Sequence, residues 1–161
     1  MALIVQKYGG TSVGDIDKIR AVAEKVSTIV KAGNKVIVVV SAMSGETNRL
    51  VKLAENFSDS KGCSLDMLLS TGEQVTISLL SMALREIALP AIPLCGWQVP
   101  IKTDDSYGKA RIENIEIQKI VSLTESGVIP VVAGFQGVDN SGMVTTLGRG
   151  GSDTTAVALA A

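Results

Sequence analysis

Two runs of β-branched residues, KVIVVV at 35–40 and VIPVVA at 128–133, constrain the fold most. Each run is continuously apolar rather than alternating, and therefore predicts a strand buried on both faces, as in a parallel sheet. Residues 15–33 precede the first run and have helical periodicity, with Asp15 as N-cap and Gly33 as stop. ALIVQK at 2–7 predicts a further buried strand. This order favours an α/β fold with a mainly parallel sheet covered by helices on both faces.

The rest of the chain continues the alternation of helices and strands. We predict a helix near 46–56, a long helix over 65–87 that is interrupted around Gly72, and a strand at 91–95. A fourth helix lies within 112–127, a polar hairpin-like segment follows at 136–148, and a last helix ends the chain. No repeat, low-complexity tract or linker divides these elements. We therefore expect a single α/β domain.

Composition excludes several classes of function. The 161 residues are 46% hydrophobic and 19% charged, which is typical of a globular domain with a substantial core. The 15 basic and 16 acidic residues are spread along the chain, so no basic tract favours nucleic-acid binding. No signal peptide or membrane-spanning run is apparent. Cys63 and Cys95 are isolated, which favours a reducing, cytoplasmic location. Histidine is absent, so proton transfer would need other groups.

Small polar residues follow three predicted strands, in KYGGTS at 7–12, SAMSGETN at 41–48 and GFQG at 134–137. Ligands of open α/β sheets bind at the carboxyl ends of the strands, so these segments are expected to converge on one site. In KYGGTS, glycine N–H groups and the following helix N-terminus favour a phosphate, and Lys7 adds a positive charge. The alternative is a tight turn with a solvated lysine. The segment matches neither a Walker A loop nor a dinucleotide fingerprint.

GRGGSDTT at 148–155 repeats this pattern near the end of the chain. Gly150 and Gly151 expose backbone donors, Ser152 or Asp153 is a candidate cap of the last helix, and Arg149 suits a carboxylate or phosphate. Asp153 beside two anion sites would orient a cation, either Lys7 or magnesium. An ordinary N-cap with a surface arginine is the alternative.

Three other polar residues are ambiguous from the sequence. Glu73 interrupts an apolar helix, where it would either hold a substrate ammonium group or lie at the surface. Ser41 and Thr47 are either ligands or ordinary turn residues.

Five segments together resemble the aspartokinases, within the amino-acid kinase family: QKYGGTSV, VVVSAMSG, LLSTGEQV, VVAGFQGV and TTLGRGGSDTTAVALAA. They span nearly the whole chain in the order of that family. The resemblance implies the amino-acid kinase fold and an ATP-dependent transferase activity. The product would be aspartyl phosphate, formed at the β-carboxylate of L-aspartate in the biosynthesis of lysine, threonine and methionine.

The resemblance also implies roles for individual residues. Lys7 and Asp153 would be catalytic, with Lys7 neutralising the transferring phosphoryl group and Asp153 orienting Lys7 and the metal–phosphate cluster. Mg²⁺ would be held mainly through ATP. The ATP phosphates would be bound by Lys7, Tyr8, Gly9, Gly10, Thr11, Ser12 and Ser41. Glu73 would bind the substrate ammonium group, and Arg149 its α-carboxylate, helped by Thr47, Gly150, Gly151 and Ser152.

The chain departs from complete aspartokinases after TTAVALAA, where those proteins continue into adenine- and ribose-binding segments and regulatory ACT domains. We therefore expect residues 1–161 to be the N-terminal part of one catalytic domain, with an incomplete fold, weak ATP binding, poor turnover and a tendency to form homo-oligomers. One alternative is a kinase for glutamate or acetylglutamate. Another is a non-catalytic aspartate-binding or assembly module.

Overall fold

Thirteen helices and strands make up the structure, a computed structural model that describes residues 1–161. The helices are α1 (Ile16–Lys31), α2 (Glu46–Ala54), α3 (Gly62–Glu86), α4 (Gln118–Glu125) and α5 (Gly151–Ala160). The strands are β1 (Leu3–Tyr8), β2 (Lys35–Val40), β3 (Ala91–Leu94), β4 (Ile101–Thr103), β5 (Ile112–Ile115), β6 (Ile129–Ala133), β7 (Gln136–Val138) and β8 (Val144–Thr146).

A four-stranded parallel sheet, sheet A, has the strand order β1-β2-β6-β3. The two β-branched runs form its central strands β2 and β6, and they are buried almost throughout, as the sequence predicts. β1 was also predicted to be buried, and that prediction is wrong: it lies at the edge of the sheet and is partly exposed. An edge strand has a neighbour on one side only, so its side chains are less completely covered.

Alternate residues of β2 face two separate cores. Val36, Val38 and Val40 join α1 and α3 in the larger cluster, and Ile37 and Val39 join residues of α4 and β4 in the smaller one. This placement confirms the predicted α/β class with helices on both faces of a mainly parallel sheet. Asp15 caps α1 as predicted, because its Oδ1 accepts a hydrogen bond of 2.8 Å from the Lys18 N–H.

A second sheet, sheet B, has the order β5-β4-β7-β8 and mixed strand directions. The β7–β8 hairpin was predicted, but β4 and β5 were not. The helix predicted within 112–127 is present as α4, and the residues that precede it, Ile112–Ile115, form β5 and pair with β4. Ile112 and Ile115 pack there against the smaller core.

α3 is continuous through Gly72, so the predicted interruption is wrong. A Cβ at position 72 would lie 2.9 Å from the Cβ of Ala42, two residues after the end of β2. Glycine therefore lets the helix lie close to the sheet rather than breaking it. α3 is also the one helix long and apolar enough to span a membrane by length and composition, yet more than half of that apolar window is buried within the fold, as in an ordinary core helix.

Replacing Gly72 by alanine is expected to destabilise the protein by up to about 2 kcal/mol, because an overpacking cost of about 1–3 kcal/mol is only partly offset by the roughly 1 kcal/mol gained in helix propensity. The neighbouring exposed substitution Thr71→Ala changes propensity without changing this contact, and should be neutral or stabilising. Urea denaturation of both variants measures the difference. A Gly72→Ala variant as stable as Thr71→Ala would show that the close approach is unimportant.

Candidate functional site

A cleft of about 310 Å³ opens at the carboxyl ends of β1, β2 and β6. Its walls come from the end of β1, the turn between β2 and α2, the middle of α3 and the start of α5. The cleft therefore lies where ligands bind in open α/β sheets. Its lining residues are Lys7, Ser41, Ala42, Thr47, Glu73, Phe135, Gly148, Arg149, Gly150, Gly151, Ser152 and Asp153.

Glu73 lies at the base of the cleft and is 1% exposed, so the interpretation as a surface glutamate is wrong. Burial raises the pKa of its carboxyl from 4.5 to about 8, while the amide of Gln136, which donates to Oε1 over 3.1 Å, acts in the opposite direction. A carboxyl with so little hydrogen bonding is not satisfied as an anion by the protein alone. It is therefore suited to a cationic ligand group.

The cationic wall of the cleft contains Lys7, whose Nζ lies 3.0 Å from Oδ1 of Asp153. The two residues come from the end of β1 and the first turn of α5, so this ion pair joins the two ends of the chain. Nearby, Ser41 Oγ donates to Ser152 Oγ over 2.9 Å. The structure thus brings together three of the predicted segments at one point.

Arg149 is exposed on the rim, and none of the four ion pairs involves it. It precedes Gly150, which is the N-cap of α5 and has a φ of +75°. The prediction that Ser152 or Asp153 caps this helix is wrong, because their side chains bond to Ser41 and Lys7 instead. The first-turn N–H groups of α5 consequently have no side-chain cap, a condition that favours an anion.

The glycine-rich turn after β1 lies beside the cleft rather than in its wall. Gly9 is the member nearest to Lys7, since a Cβ at Gly9 would lie 3.4 Å from Nζ. Thr11 and Ser12 are exposed and line a separate depression with Lys18 and Lys25. Tyr8 packs against the larger core, and Gly10 approaches the carbonyl of Ala42. Side chains from this turn therefore do not meet Glu73 and Arg149.

Two residues of the site were not identified from the sequence. Gln136 is fully buried and holds Glu73, and its amide also donates to the Ser70 carbonyl over 3.2 Å. Phe135 lines the cleft with a φ of +74°, a strained value for a non-glycine residue. Its backbone is fixed on both sides, because its N–H donates to Thr155 and its carbonyl accepts from Leu147. Both residues lie within the GFQG segment, in which only the two glycines after a predicted strand indicated a site.

Curated relatives and solved structures match this chain over almost its whole length. An aspartate kinase of Pseudomonas putida is 59% identical over 162 residues, which is 100% of this chain and 39% of that protein. The aspartokinase of Geobacillus stearothermophilus is 55% identical over 100% of this chain and 40% of its own length. The chain thus spans about two fifths of the length of these relatives.

Among solved structures, the aspartate kinase from Synechocystis is 51% identical with a TM-score of 0.81, and the match covers 98% of this chain and 26% of that one. E. coli aspartokinase III in complex with aspartate and ADP is 27% identical with a TM-score of 0.86, covering 99% of this chain and 46% of that one. These matches confirm the resemblance to aspartokinases. A sequence model described as "Amino acid kinase family" matches residues 2–161, and the chain belongs to that family.

Proposed function

We propose that this chain carries the aspartate-binding and phosphate-binding part of an aspartate kinase, which transfers the γ-phosphoryl group of ATP to the β-carboxylate of L-aspartate. The products are β-aspartyl phosphate and ADP. One observation carries the proposal: a single cleft combines the buried carboxyl of Glu73 with the cations Lys7 and Arg149. Support also comes from the aspartate kinases it resembles, one of them solved with aspartate and ADP.

The charges of the cleft suit a dicarboxylic amino acid. Glu73 would bind the α-ammonium group, and the exposed Arg149 would bind the α-carboxylate through its planar fork. Thr47, Ser152 and the N-terminus of α5 would supply further hydrogen bonds to the substrate. The β-carboxylate would then be directed toward Lys7 and the phosphates.

Phosphoryl transfer to a carboxylate needs charge neutralisation and positioning more than proton transfer. The β-carboxylate has a pKa near 4 and is already ionised at pH 7, so it attacks phosphorus without a general base. One P–O bond to the β-carboxylate forms and the bond to ADP breaks. Lys7, oriented by Asp153, would neutralise the oxygens of the transferring group. A chain without histidine is suited to this reaction.

The ATP phosphates would lie near Lys7, Ser41 and the backbone of Gly9 and Gly10. Their charge would be shared with Mg²⁺, which proteins commonly bind through substrate phosphates and one or two carboxylates. No cluster of three His, Cys, Asp or Glu side chains here could hold a metal ion alone, and Asp153 is the carboxylate beside Lys7. A cytoplasmic homo-oligomer in the biosynthesis of lysine, threonine and methionine belongs to the same proposal.

The reaction is tested with the protein expressed from its complete gene, by trapping aspartyl phosphate as its hydroxamate in the presence of ATP, Mg²⁺ and hydroxylamine. Aspartate should give product and glutamate should not. Product from glutamate or acetylglutamate instead would identify a different amino-acid kinase. Aspartate binding by calorimetry without any acyl phosphate would favour the non-catalytic binding module.

Glu73→Gln should weaken aspartate binding and stabilise the protein at alkaline pH. Because the pKa of Glu73 is 4.5 when exposed and about 8 when folded, the folded state binds more protons than the unfolded chain between these values. The contribution of Glu73 to the free energy of unfolding therefore falls as pH rises from 4.5 to 8. Glutamine does not ionise, so the Glu73→Gln variant does not have this decrease. Urea denaturation at pH 5 and pH 8.5 measures it, with the exposed Glu86→Gln on the same helix as control. Equal pH dependence in wild type and Glu73→Gln would contradict the burial argument.

Arg149→Lys should weaken aspartate binding about tenfold, because an ammonium group cannot reproduce a bidentate pair with a carboxylate. Binding of ATP should change little. Calorimetric titration with each ligand separates the two effects, and Arg85→Lys, near the C-terminal end of α3, is the matched control. An unchanged aspartate affinity would remove Arg149 from the substrate site.

Lys7→Ala should lower kcat by about 10²–10³, as for the loss of one preorganised charge donor, while aspartate affinity is largely kept. The matched control is Lys102→Ala, since Lys102 also forms an exposed ion pair but lies in β4, away from the cleft. The hydroxamate assay and calorimetry give the two quantities. A near-normal kcat in Lys7→Ala would show that Lys7 has no catalytic role and only forms an ion pair with Asp153.

A further inference from the structure

A second buried carboxylate, Asp66, lies on α3 outside the cleft and has no role in the reaction described above. It is 1% exposed and has no cationic partner. Such a group is costly to bury unless hydrogen bonds from its surroundings stabilise it. The hydrogen-bond partners of the Asp66 carboxylate therefore indicate which segments it holds in place.

All the hydrogen bonds of Asp66 go to two segments far away in the sequence. Oδ2 accepts from the backbone N–H of Gly108 over 3.0 Å and from that of Thr146 over 2.7 Å. Oδ1 accepts from the hydroxyl of Thr146 over 3.1 Å. One carboxylate thus ties α3 to the loop before β5 and to the end of β8.

These contacts fix the segment that carries Arg149. The carbonyl of Thr146 also accepts from the Ala110 N–H over 2.9 Å, and the next residue, Leu147, donates to the Phe135 carbonyl over 2.8 Å. At Gly148 the backbone passes so close to Gly108 that an added Cβ would lie 2.9 Å from the Gly108 carbonyl oxygen. Both residues held by Asp66 therefore define the path of the chain into Arg149.

The same helix carries Glu73, seven residues after Asp66 and hence about two turns further on the same face. Ser70 lies between them on this face, and its carbonyl accepts from the Gln136 amide that also holds Glu73. α3 is continuous over this stretch, so it behaves as a rigid spacer. One end of the spacer positions Glu73, and the other positions the start of the segment leading to Arg149.

We propose that Asp66 is a positioning residue that fixes the separation between Glu73 and Arg149, and through it the affinity for the α-ammonium and α-carboxylate groups of the substrate. This inference rests on the proposed function of those two residues. If Asp66 only stabilised the core, its replacement would lower stability alone. A positioning role predicts a loss of substrate affinity in addition to any loss of stability.

Two substitutions distinguish geometry from charge. Asp66→Ala leaves the N–H groups of Gly108 and Thr146 without their acceptor. Asp66→Asn keeps the shape: its amide oxygen can accept both N–H groups, and its NH₂ can donate to the Thr146 hydroxyl, which also accepts hydrogen bonds. We expect Asp66→Ala to raise the Kd for aspartate about tenfold and Asp66→Asn to change it less than about threefold.

The control is Val26→Ala, a fully buried apolar position of α1 that neither lines the cleft nor takes part in the hydrogen bonds of Asp66. Aspartate binding is measured by calorimetry and stability by thermal unfolding for each variant. Affinity should fall in Asp66→Ala and stay unchanged in Val26→Ala, even where both melt at lower temperature. An equal loss of affinity in both, or no loss in Asp66→Ala, would overturn the proposal.

Hydrogen exchange gives a measurement that does not need the substrate. Amides of residues 146–151 should exchange faster in Asp66→Ala than in Val26→Ala, and unchanged exchange would overturn the proposed positioning. If the wild-type protein bound no aspartate, the proposed function would fail, while this comparison would still decide the role of Asp66. Where Asp66→Ala does not fold, Thr146→Val removes one of the same hydrogen bonds and should shift exchange and affinity in the same direction, more than Val26→Ala does.

Discussion

Two carboxylates of α3 are buried, and the elements packed around this helix must therefore supply hydrogen-bond donors to them. Asp66 and Glu73 are each 1% exposed, and a carboxyl removed from water requires hydrogen-bond donors or neutralisation. Backbone from the loop near Gly108 and from β8 supplies donors to Asp66, and Gln136 supplies one to Glu73. The mixed sheet B is thereby held against the helix that also packs on sheet A. The position of the cleft follows from this arrangement.

The two carboxylates differ in how completely the protein satisfies them. Asp66 accepts three hydrogen bonds, which oppose the effect of burial on its pKa, although the pKa remains raised. Glu73 accepts one from a side chain and keeps a pKa of about 8. An ammonium ligand would supply the missing positive charge and lower that pKa. Incomplete satisfaction of Glu73 thus lowers stability and, in the proposed function, would give the cleft its preference for a cationic group.

Local sequence patterns were sufficient for the elements whose own residues carry a strong signal, either a continuous β-branched run or a helical periodicity with caps. β2 and β6 are continuous β-branched runs, and α1 has a cap, an apolar face and a glycine stop, so each was predicted correctly. β4 and β5 were missed because they contain three and four residues and depend on partners from other parts of the chain. Gly72 was misinterpreted because a helix-breaking residue and a residue that allows close packing look alike in sequence.

The same limit applied to the site. Motifs identified Lys7, Arg149 and Asp153 because their residue types are chemically specific and lie beside glycines. The surroundings of Glu73 could not be inferred, because its hydrogen-bond partner Gln136 is 63 residues away. The role of Asp66 depends on Thr146, 80 residues away. Contacts over such distances are fixed by topology rather than by any local pattern.

The ion pair between Lys7 and Asp153 depends on that topology as well. Its side chains are 30% and 70% exposed, so its contribution to stability is small. Its effect is directional: Asp153 holds Nζ at the mouth of the cleft, beside the uncapped N-terminus of α5. Since the helix terminus and the ammonium group both favour anions, a phosphoryl group placed there would meet two preorganised positive centres. Glu73, buried in the same cleft, favours the opposite charge, so in the proposed function the cleft would bind the cationic and anionic groups of a zwitterionic substrate at separate places.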